Sequence, residues 1–462
     1  MSAAIGERQT QVSLKRQHQI GERRTIRGKR IGRLRGSLWP MIFDLRNISY
    51  IGKTIYDGDF GISQNDRRRH LHVIGQTGTG KSTTLLHLIS QDLAMGRGMA
   101  LLDPHGDLAE RALTLIPSRR AHELVYLNPA DLARPIGYNV LDRVPEDQRP
   151  VVAEGVISAF KHVWQDSWGP RLEHFLLNSI RALLDARGAT LLCVPRLLTD
   201  DAYRAGIVRT IRDPVVRAFW QNEYAAYDRK FLAEANSPIL NKIGRVLSSP
   251  TLRNIIAQPR STIDLRKMMD EGRILIVNLA KGALGEGTAH LLGAFITTGL
   301  AQAALSRADV PENDRRVFHL YADEFQSFAT ESFALILSEA RKYGLTLTLG
   351  HQYLGQLSDQ LRQAVLGNSG SFISFRVGAE DAALVAHHLG LGSVAAVQDL
   401  ANFQAYGRFL IGNSPSSPTR LDLYPPPEPS HRHPERLIAN SRIRFGRDRR
   451  VVEDRITRFL TA

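Results

Sequence analysis

The sequence predicts an α/β protein built on a mainly parallel sheet, with an all-helical segment inserted into it. Three observations carry this. Short apolar runs at 71–74, 98–102, 273–278, 317–322 and 345–349 alternate with longer helical stretches, the pattern of strands joined by crossover helices. A glycine-rich phosphate-loop motif, Gly75-Gln76-Thr77-Gly78-Thr79-Gly80-Lys81-Ser82, sits between the first of these runs and a helix that opens at Thr83. An acidic pair, Asp323-Glu324, closes the run at 317–322, and the 242 residues from Lys81 to Asp323 exceed one compact phosphate-loop domain. The excess falls in a helical stretch.

From the N-terminus, residues 1–40 are sparse in apolar positions and carry ten Lys/Arg against Glu7 and Glu22. They read as a flexible basic arm, with neither a signal peptide nor a membrane span. Residues 41–150 and 263–424 hold the strand–helix alternation, including strand-like Ile48-Ser49-Tyr50-Ile51 and a pair of strands over 404–424. Residues 151–262 read as the helical insertion: Leu172, Phe175, Leu176, Ile180, Leu183 and Leu184 follow an i, i+3, i+4 stripe. Residues 425–462 read as a proline-rich linker, with His431 and His433 exposed in it, and a short basic helix whose Val452, Ile456, Phe459 and Leu460 share one face. Gly287 to Ser306 lacks a formal charge and is long enough to cross a bilayer. Its threonines, His290 and Gln302, and its place between two strands, make it a buried helix.

The chain has 462 residues, one cysteine (Cys193) and a formal charge of +14. One thiol excludes a disulfide scaffold and a cysteine-rich zinc site. Residues 431–462 hold nine Arg against four acids, so the two tails account for all but +1 of the charge. Basic tails on a near-neutral body point to a polyanion, nucleic acid first, with a solvated tail as the plainer reading.

In the phosphate loop, glycines let successive N–H groups point at phosphate oxygens beside a helix N-terminus. Lys81 bridges the β- and γ-phosphates and Ser82 ligates Mg²⁺, so ATP and Mg²⁺ are the expected cofactors. Asp323 then holds the Mg²⁺ hydration shell and Glu324 polarises the attacking water. Gln352, at the end of the strand 345–349, is a candidate γ-phosphate sensor. Arg341 is a candidate arginine finger or simply a favourable charge at a helix C-terminus, and Arg376 is a third candidate. Asp103 and His105 either line the nucleotide site or form a turn with Pro104 and Gly106.

Taken in order, the phosphate loop, Leu102-Asp103-Pro104-His105-Gly106-Asp107-Leu108, Asp323-Glu324-Phe325-Gln326, Ala340-Arg341-Lys342-Tyr343-Gly344 and His351-Gln352 resemble the HerA–FtsK superfamily. Within it the chain is most similar to the type IV secretion coupling proteins, the conjugative DNA-transfer ATPases. The resemblance implies a RecA-like motor with an inserted helical domain and a ring hexamer that moves DNA, single- or double-stranded. It also implies a relaxase or secretion-channel proteins as partners. Lys81, Ser82, Asp323 and Glu324 match the family's loop and acids, Arg341 its finger and Gln352 its sensor. The expected activity is DNA-stimulated ATP hydrolysis coupled to DNA translocation for conjugative or mobile-element DNA transfer, in the cytoplasm, or peripheral to the inner membrane through partners. The alternatives are a HerA-like helicase working with a nuclease, a protein-secretion motor, and a nucleotide-gated DNA-binding adaptor without turnover.

Overall fold

The computed structural model describes residues 44–330, 333–412, 414–431 and 433–461. All elements below belong to the unit Leu45–Ala462; the expected basic arm lies outside the described residues. Eleven strands form one sheet: β1 (Ile48–Thr54), β2 (Asp59–Ser63), β3 (Leu71–Ile74), β4 (Gly98–Asp103), β5 (Leu124–Leu127), β6 (Ile274–Asn278), β7 (Phe318–Ala322), β8 (Leu345–His351), β9 (Ser371–Ser374), β10 (Gln404–Arg408) and, beyond the two-residue strands β11 (Leu410–Ile411) and β12 (Ser414–Pro415), β13 (Thr419–Leu423). The order across the sheet is β2-β1-β13-β10-β9-β3-β8-β7-β4-β6-β5.

From β9 to β5 every neighbouring pair is parallel. Each of these strands is buried along its whole length, because helices cover both faces. From β10 to β2 the pairs are antiparallel, and β10 alternates buried and half-buried residues. Side chains alternate across the sheet. Met99, Leu101, Ile274, Ile276 and Tyr321 join the core under α1 (Lys81–Ala94) and α2 (Asp107–Thr114). Ala100, Leu102, Leu275, Val277, Leu320 and Ala322 join the opposite core.

That second core is continuous with the helices between β5 and β6. These include α3 (Arg149–Val163), α4 (Pro170–Asp185), α5 (Arg229–Ser248) and α6 (Pro250–Ile256). The buried stripe of α4 contains Leu172, Phe175, Leu176, Ile180, Leu183 and Leu184, the residues its sequence periodicity selects. α7 (Glu286–Leu305) packs against α3 so closely that a Cβ on Gly155 would stand 2.5 Å from Thr298 Cγ2. By length and composition alone Glu286–Asp309 could cross a membrane, but 72% of its most apolar window is buried inside the fold. After β7, α8 (Phe333–Glu339) leads into β8, which lies between β3 and β7.

The C-terminal region differs from the linker and single helix expected. Two helices follow β13, α9 (Glu435–Phe445) and α10 (Arg449–Thr461). α9 covers β5, the edge strand: Ser441 Oγ accepts from the Tyr126 amide at 2.8 Å, satisfying a donor that an open edge would leave exposed. α10 seats Val452 and Ile456 against Leu192 and Ala257, while Leu460 stays 63% exposed and off the packed face. The proline-rich stretch is pinned as well, since the Ser430 and His431 amides donate to Thr114 O at 2.8 and 3.0 Å. His431 is therefore half-buried rather than exposed, and His433 is exposed.

One buried ionic network ties α1 to the sheet. Arg67 donates to both carboxylate oxygens of Asp92 at 2.8 and 2.9 Å, to Ser49 Oγ at 2.8 Å and to the Tyr321 hydroxyl. Tyr321 in turn donates to Asp92, and Arg97 adds a bond at 3.0 Å. Burial pushes the Asp92 carboxyl up, but the guanidiniums beside it overcome this and hold it well below the usual carboxylate range. Asp92→Asn keeps the shape and removes the charge, leaving Arg67 buried without its counter-ion. We expect a loss of about 3–5 kcal/mol in a denaturant titration; a loss within 1 kcal/mol would show the network to be dispensable.

Candidate functional site

The seven parallel strands bring their carboxyl ends to one edge, where ligands bind in open α/β sheets. At the end of β3 the chain curls through Gly78 and Gly80, whose φ values of 78° and 129° suit glycine. A Cβ on Gly80 would also meet Leu423 Cδ1 and Phe375 Cε1 at 2.9 Å. Lys81 folds back over the loop, its Nζ donating to Gly75 O at 2.6 Å and Gln76 O at 3.2 Å. Thr79 Oγ1 donates to Gln76 O at 2.7 Å. No side chain caps the start of α1, so its first amides remain available to a ligand. Three segments anchor the loop from outside, the end of β8, the residues after β9 and the residue before β10: the Gly75 amide donates to His351 O, the Gln76 amide to Arg376 O and the Phe403 amide to Thr79 O, at 3.4, 2.9 and 2.7 Å.

Opposite Lys81, the end of β7 presents Asp323 and Glu324, both buried. Ser82 Oγ donates to Asp323 Oδ2 at 3.2 Å. Burial, Glu324 and Asp103 together push Asp323 up to about 6, against the pull of Lys81 and Ser82. Burial also lowers Lys81, with Glu324 and Asp323 working the other way. Glu324 adopts a left-handed conformation, φ 45° and ψ 50°, which costs a non-glycine residue about 1–3 kcal/mol. Gln326 Nε2 donates to Glu324 Oε2 at 2.7 Å and fixes the carboxylate.

Lys81, Ser82, Thr83, Asp323, Glu324 and Gln352 line one cavity of about 430 Å³, together with Thr77, Gly78, Gly80, Asp103, His105 and Phe403. The Asp103 segment forms the expected turn and also reaches the cavity. Asp103 borders the cavity, and its carboxylate also builds the turn, accepting from the His105 and Ala109 amides at 2.9 and 2.8 Å. Among the described residues no group of three or more His, Cys, Asp or Glu could cage a metal. Ser82 and Asp323 are instead placed to share one divalent cation with a ligand's own oxygens, as Mg²⁺ requires.

The other two arginines go elsewhere. Arg376 stands beside the loop, its Nε 3.2 Å from Gln76 Oε1 and its Nη1 3.1 Å from Leu400 O. Arg341 precedes β8, whereas Gln352 follows it, so the length of that strand, roughly 20 Å, separates them. Arg341 is exposed and borders a different cavity with Arg68, Arg69 and Glu312. Sequence reasoning missed the buried pair His72 and His351, stacked under the loop with 3.0 Å between Nε2 and Nδ1. Burial holds His351 down to about 3. It also missed Phe403, for which no local signal existed.

A family model for the type IV secretion-system coupling protein DNA-binding domain matches residues 57–406. The chain belongs to this family. Among curated relatives it is 22% identical over 369 residues to the type 4 coupling protein DotL of Legionella pneumophila, covering 67% of this chain. The chain spans about half of that relative's length, 47%. Among solved structures it resembles plasmid coupling protein TrwB in complex with ADP and Mg²⁺, with a TM-score of 0.59 at 20% identity over 81% of this chain and 89% of that one. It also resembles VirB4 of Thermoanaerobacter pseudethanolicus, with a TM-score of 0.56 at 14% identity over 82% and 96%. The fold of this coupling-protein family member is thus the RecA-like phosphate-loop architecture expected from the sequence.

Asp323 gives a pH-dependent prediction. Its folded-state pKa lies above the ordinary carboxylate value of 3.8. The folded chain therefore holds this proton more tightly than the unfolded chain. Stability falls as pH rises from about 4 through about 6, then levels. Asp323→Asn, which carries no charge to bury, is expected to stabilise the metal-free protein at pH 8 by up to about 3 kcal/mol. The gain should vanish toward pH 4. Chemical denaturation at both pH values checks this, and an equal effect at pH 4 and 8 would contradict it.

Proposed function

We propose that this protein is the ATPase motor of a type IV secretion-type DNA-transfer apparatus, a DNA translocase that works as a ring hexamer. The observation that carries the reading is the single cavity that joins Lys81 and Ser82 to Asp323, Glu324 and Gln352 in a coupling-protein family member. TrwB has been solved with ADP and Mg²⁺ and with a non-hydrolysable ATP analogue, which supports the same ligands here. In this reading residues 41–150 and 263–424 form the motor and 151–262 its helical insertion, with residues 1–40 and 425–462 as appendages. The protein acts at the cytoplasmic side of the inner membrane, docked through a relaxase or channel partner.

The residues fit Mg·ATP. The turn at Gly78 and Gly80 and the uncapped start of α1 supply amides for phosphate oxygens, and a side chain at Gly80 would fill that cradle. Mg·ATP supplies a phosphoryl group already activated for in-line attack. Lys81 leaves Gly75 O and Gln76 O and donates to phosphate oxygens instead. Ser82 and Asp323 would hold the Mg²⁺, whose charge would favour the ionised form of Asp323 and polarise the phosphate. Glu324, released from Gln326, orients the attacking water and accepts its proton. Gln352 stands between the phosphate loop and the acidic pair and couples the two.

Lys81→Ala should weaken nucleotide binding and abolish turnover. Glu324→Gln should bind ATP with near wild-type affinity and hydrolyse it at least about 100-fold more slowly. The assay is steady-state ATPase with no DNA, single-stranded DNA and duplex DNA, alongside the mass of the assembled species. Wild-type turnover by Glu324→Gln would overturn its assignment. Turnover indifferent to both forms of DNA would favour the protein-secretion motor.

Arg341 lies too far from its own cavity to serve it, so we assign it to the nucleotide of a neighbouring copy. Arg341→Ala should keep ATP affinity and lose about 10³-fold or more of the assembled rate. Mixed with Lys81→Ala, itself inactive, it should regain part of the activity, because a mixed ring can set an intact Lys81 site against an intact Arg341. No recovery on mixing, or full activity of Arg341→Ala alone, would sink the assignment.

A further inference from the structure

A nucleoside triphosphate is asymmetric, and so is the cavity. On one side of β3, the ends of β8, β7 and β4 bring Gln352, Asp323, Glu324 and Asp103. These are the groups suited to the reacting phosphate and its cation, so the terminal phosphate lies toward them. The nucleoside then leaves the loop on the other side of β3, toward β9 and β10. Phe403 stands there, just ahead of β10, as the one phenyl ring on the cavity wall, while His105 lies on the β4 side.

Two features of Phe403 oppose ordinary folding preferences. The residue is 47% exposed although it lines the cavity. Its φ is 65°, in the left-handed region, where a bulky side chain is a genuine outlier. The surroundings impose this conformation. The Phe403 amide donates to Thr79 O at 2.7 Å, and its carbonyl accepts from the Leu423 amide at 2.9 Å. Arg376 clamps the residues just before it, donating to Leu400 O at 3.1 Å and to Asn402 Oδ1 at 3.2 Å while its Nε reaches Gln76. The ring is thus held at a fixed distance from the phosphate loop, through backbone bonds that do not depend on the side chain.

We propose that Phe403 is the stacking platform for the nucleotide base. The inference rests on the reading of this cavity as a nucleotide site. A phenyl face binds any heteroaromatic plane and reads no hydrogen-bonding edge. Purine nucleotides are therefore held more tightly than pyrimidine ones, with little discrimination between adenine and guanine by this residue.

The test compares binding of Mg·ATP and of Mg·tripolyphosphate, which lacks a base, to the 462-residue chain by calorimetry. Phe403→Ala should lose about 5- to 150-fold in ATP affinity and leave tripolyphosphate affinity unchanged. Phe403→Trp should keep ATP affinity, and its added indole emission should be quenched by ATP but not by tripolyphosphate. Should Phe403→Ala fail to fold, the quenching experiment decides alone. Wild-type ATP affinity in Phe403→Ala would overturn the proposal. So would an equal loss of both ligands, which would make Phe403 a prop for the loop, or an indole that ATP does not quench. Failure of the underlying site reading looks different: the wild-type protein would then bind neither ligand, and both inferences would fall together.

Discussion

Charge burial at the carboxyl edge of the sheet is the constraint on which the rest of this structure depends. Asp103, Asp323 and Glu324 converge there around Lys81, all out of bulk water. One ammonium does not satisfy three carboxylates in a low-dielectric site, and Asp323 responds by holding its proton up to about 6. Asp103 accepts from two backbone amides of the turn it builds, Asp323 from Ser82 and Glu324 from Gln326, but none of these donors carries a compensating charge. A divalent cation would complete the balance. The strained backbone of Glu324 and the Gln326 bond that aims its side chain are affordable only because the strands beneath them are buried on both faces.

Rigidity under that edge comes from fastening α1 to β7 at two places. Near its start, Ser82 meets Asp323; near its end, Asp92 meets Tyr321 and Arg67. Tyr321 and Asp323 are two residues apart, so both side chains leave the same face of the sheet. The phosphate-loop helix and the acidic strand therefore hold one register, and movement of either carries the other. Arg67 belongs to the chain just before β3, so the strand that enters the phosphate loop shares the same fastening. The spacing from Lys81 to Asp323 is set by these contacts rather than by the residues between them.

The sequence was most legible where local pattern and tertiary demand coincide. The phosphate loop needs glycines wherever it occurs, and β3, β4, β6, β7 and β8 are apolar runs because both of their faces are covered. The four-residue strands β5 and β9 were missed, since a run so short carries no periodicity of its own, whereas the equally short β3 was marked by the phosphate loop that follows it. α9 was missed because its partner is a distant strand edge: the contact of Ser441 with Tyr126 spans more than three hundred positions. Phe403 leaves no trace at all, as its conformation is dictated by Thr79, Arg376 and Leu423 together. Arg341 is the intermediate case. Its motif marks the residue, while only the strand order shows that it faces away from the cavity of its own chain.

That last separation has a geometric consequence. Under the proposed reading, each chain presents a phosphate-binding cavity at the carboxyl edge of its sheet and the completing guanidinium at the amino edge. Two antiparallel copies could complete each other across a two-fold axis, each edge meeting the opposite edge of its partner, but the proposed ring hexamer does not use such a contact. The contact is instead heterologous, carboxyl edge to amino edge, and a heterologous contact either closes into a ring or continues as a filament. A ring gives every cavity a neighbouring arginine, whereas an open filament leaves one terminal cavity without its partner. Hydrolysis that depends on Arg341 therefore depends on assembly, and closure alone completes every cavity, which makes the neighbouring copy part of the active site.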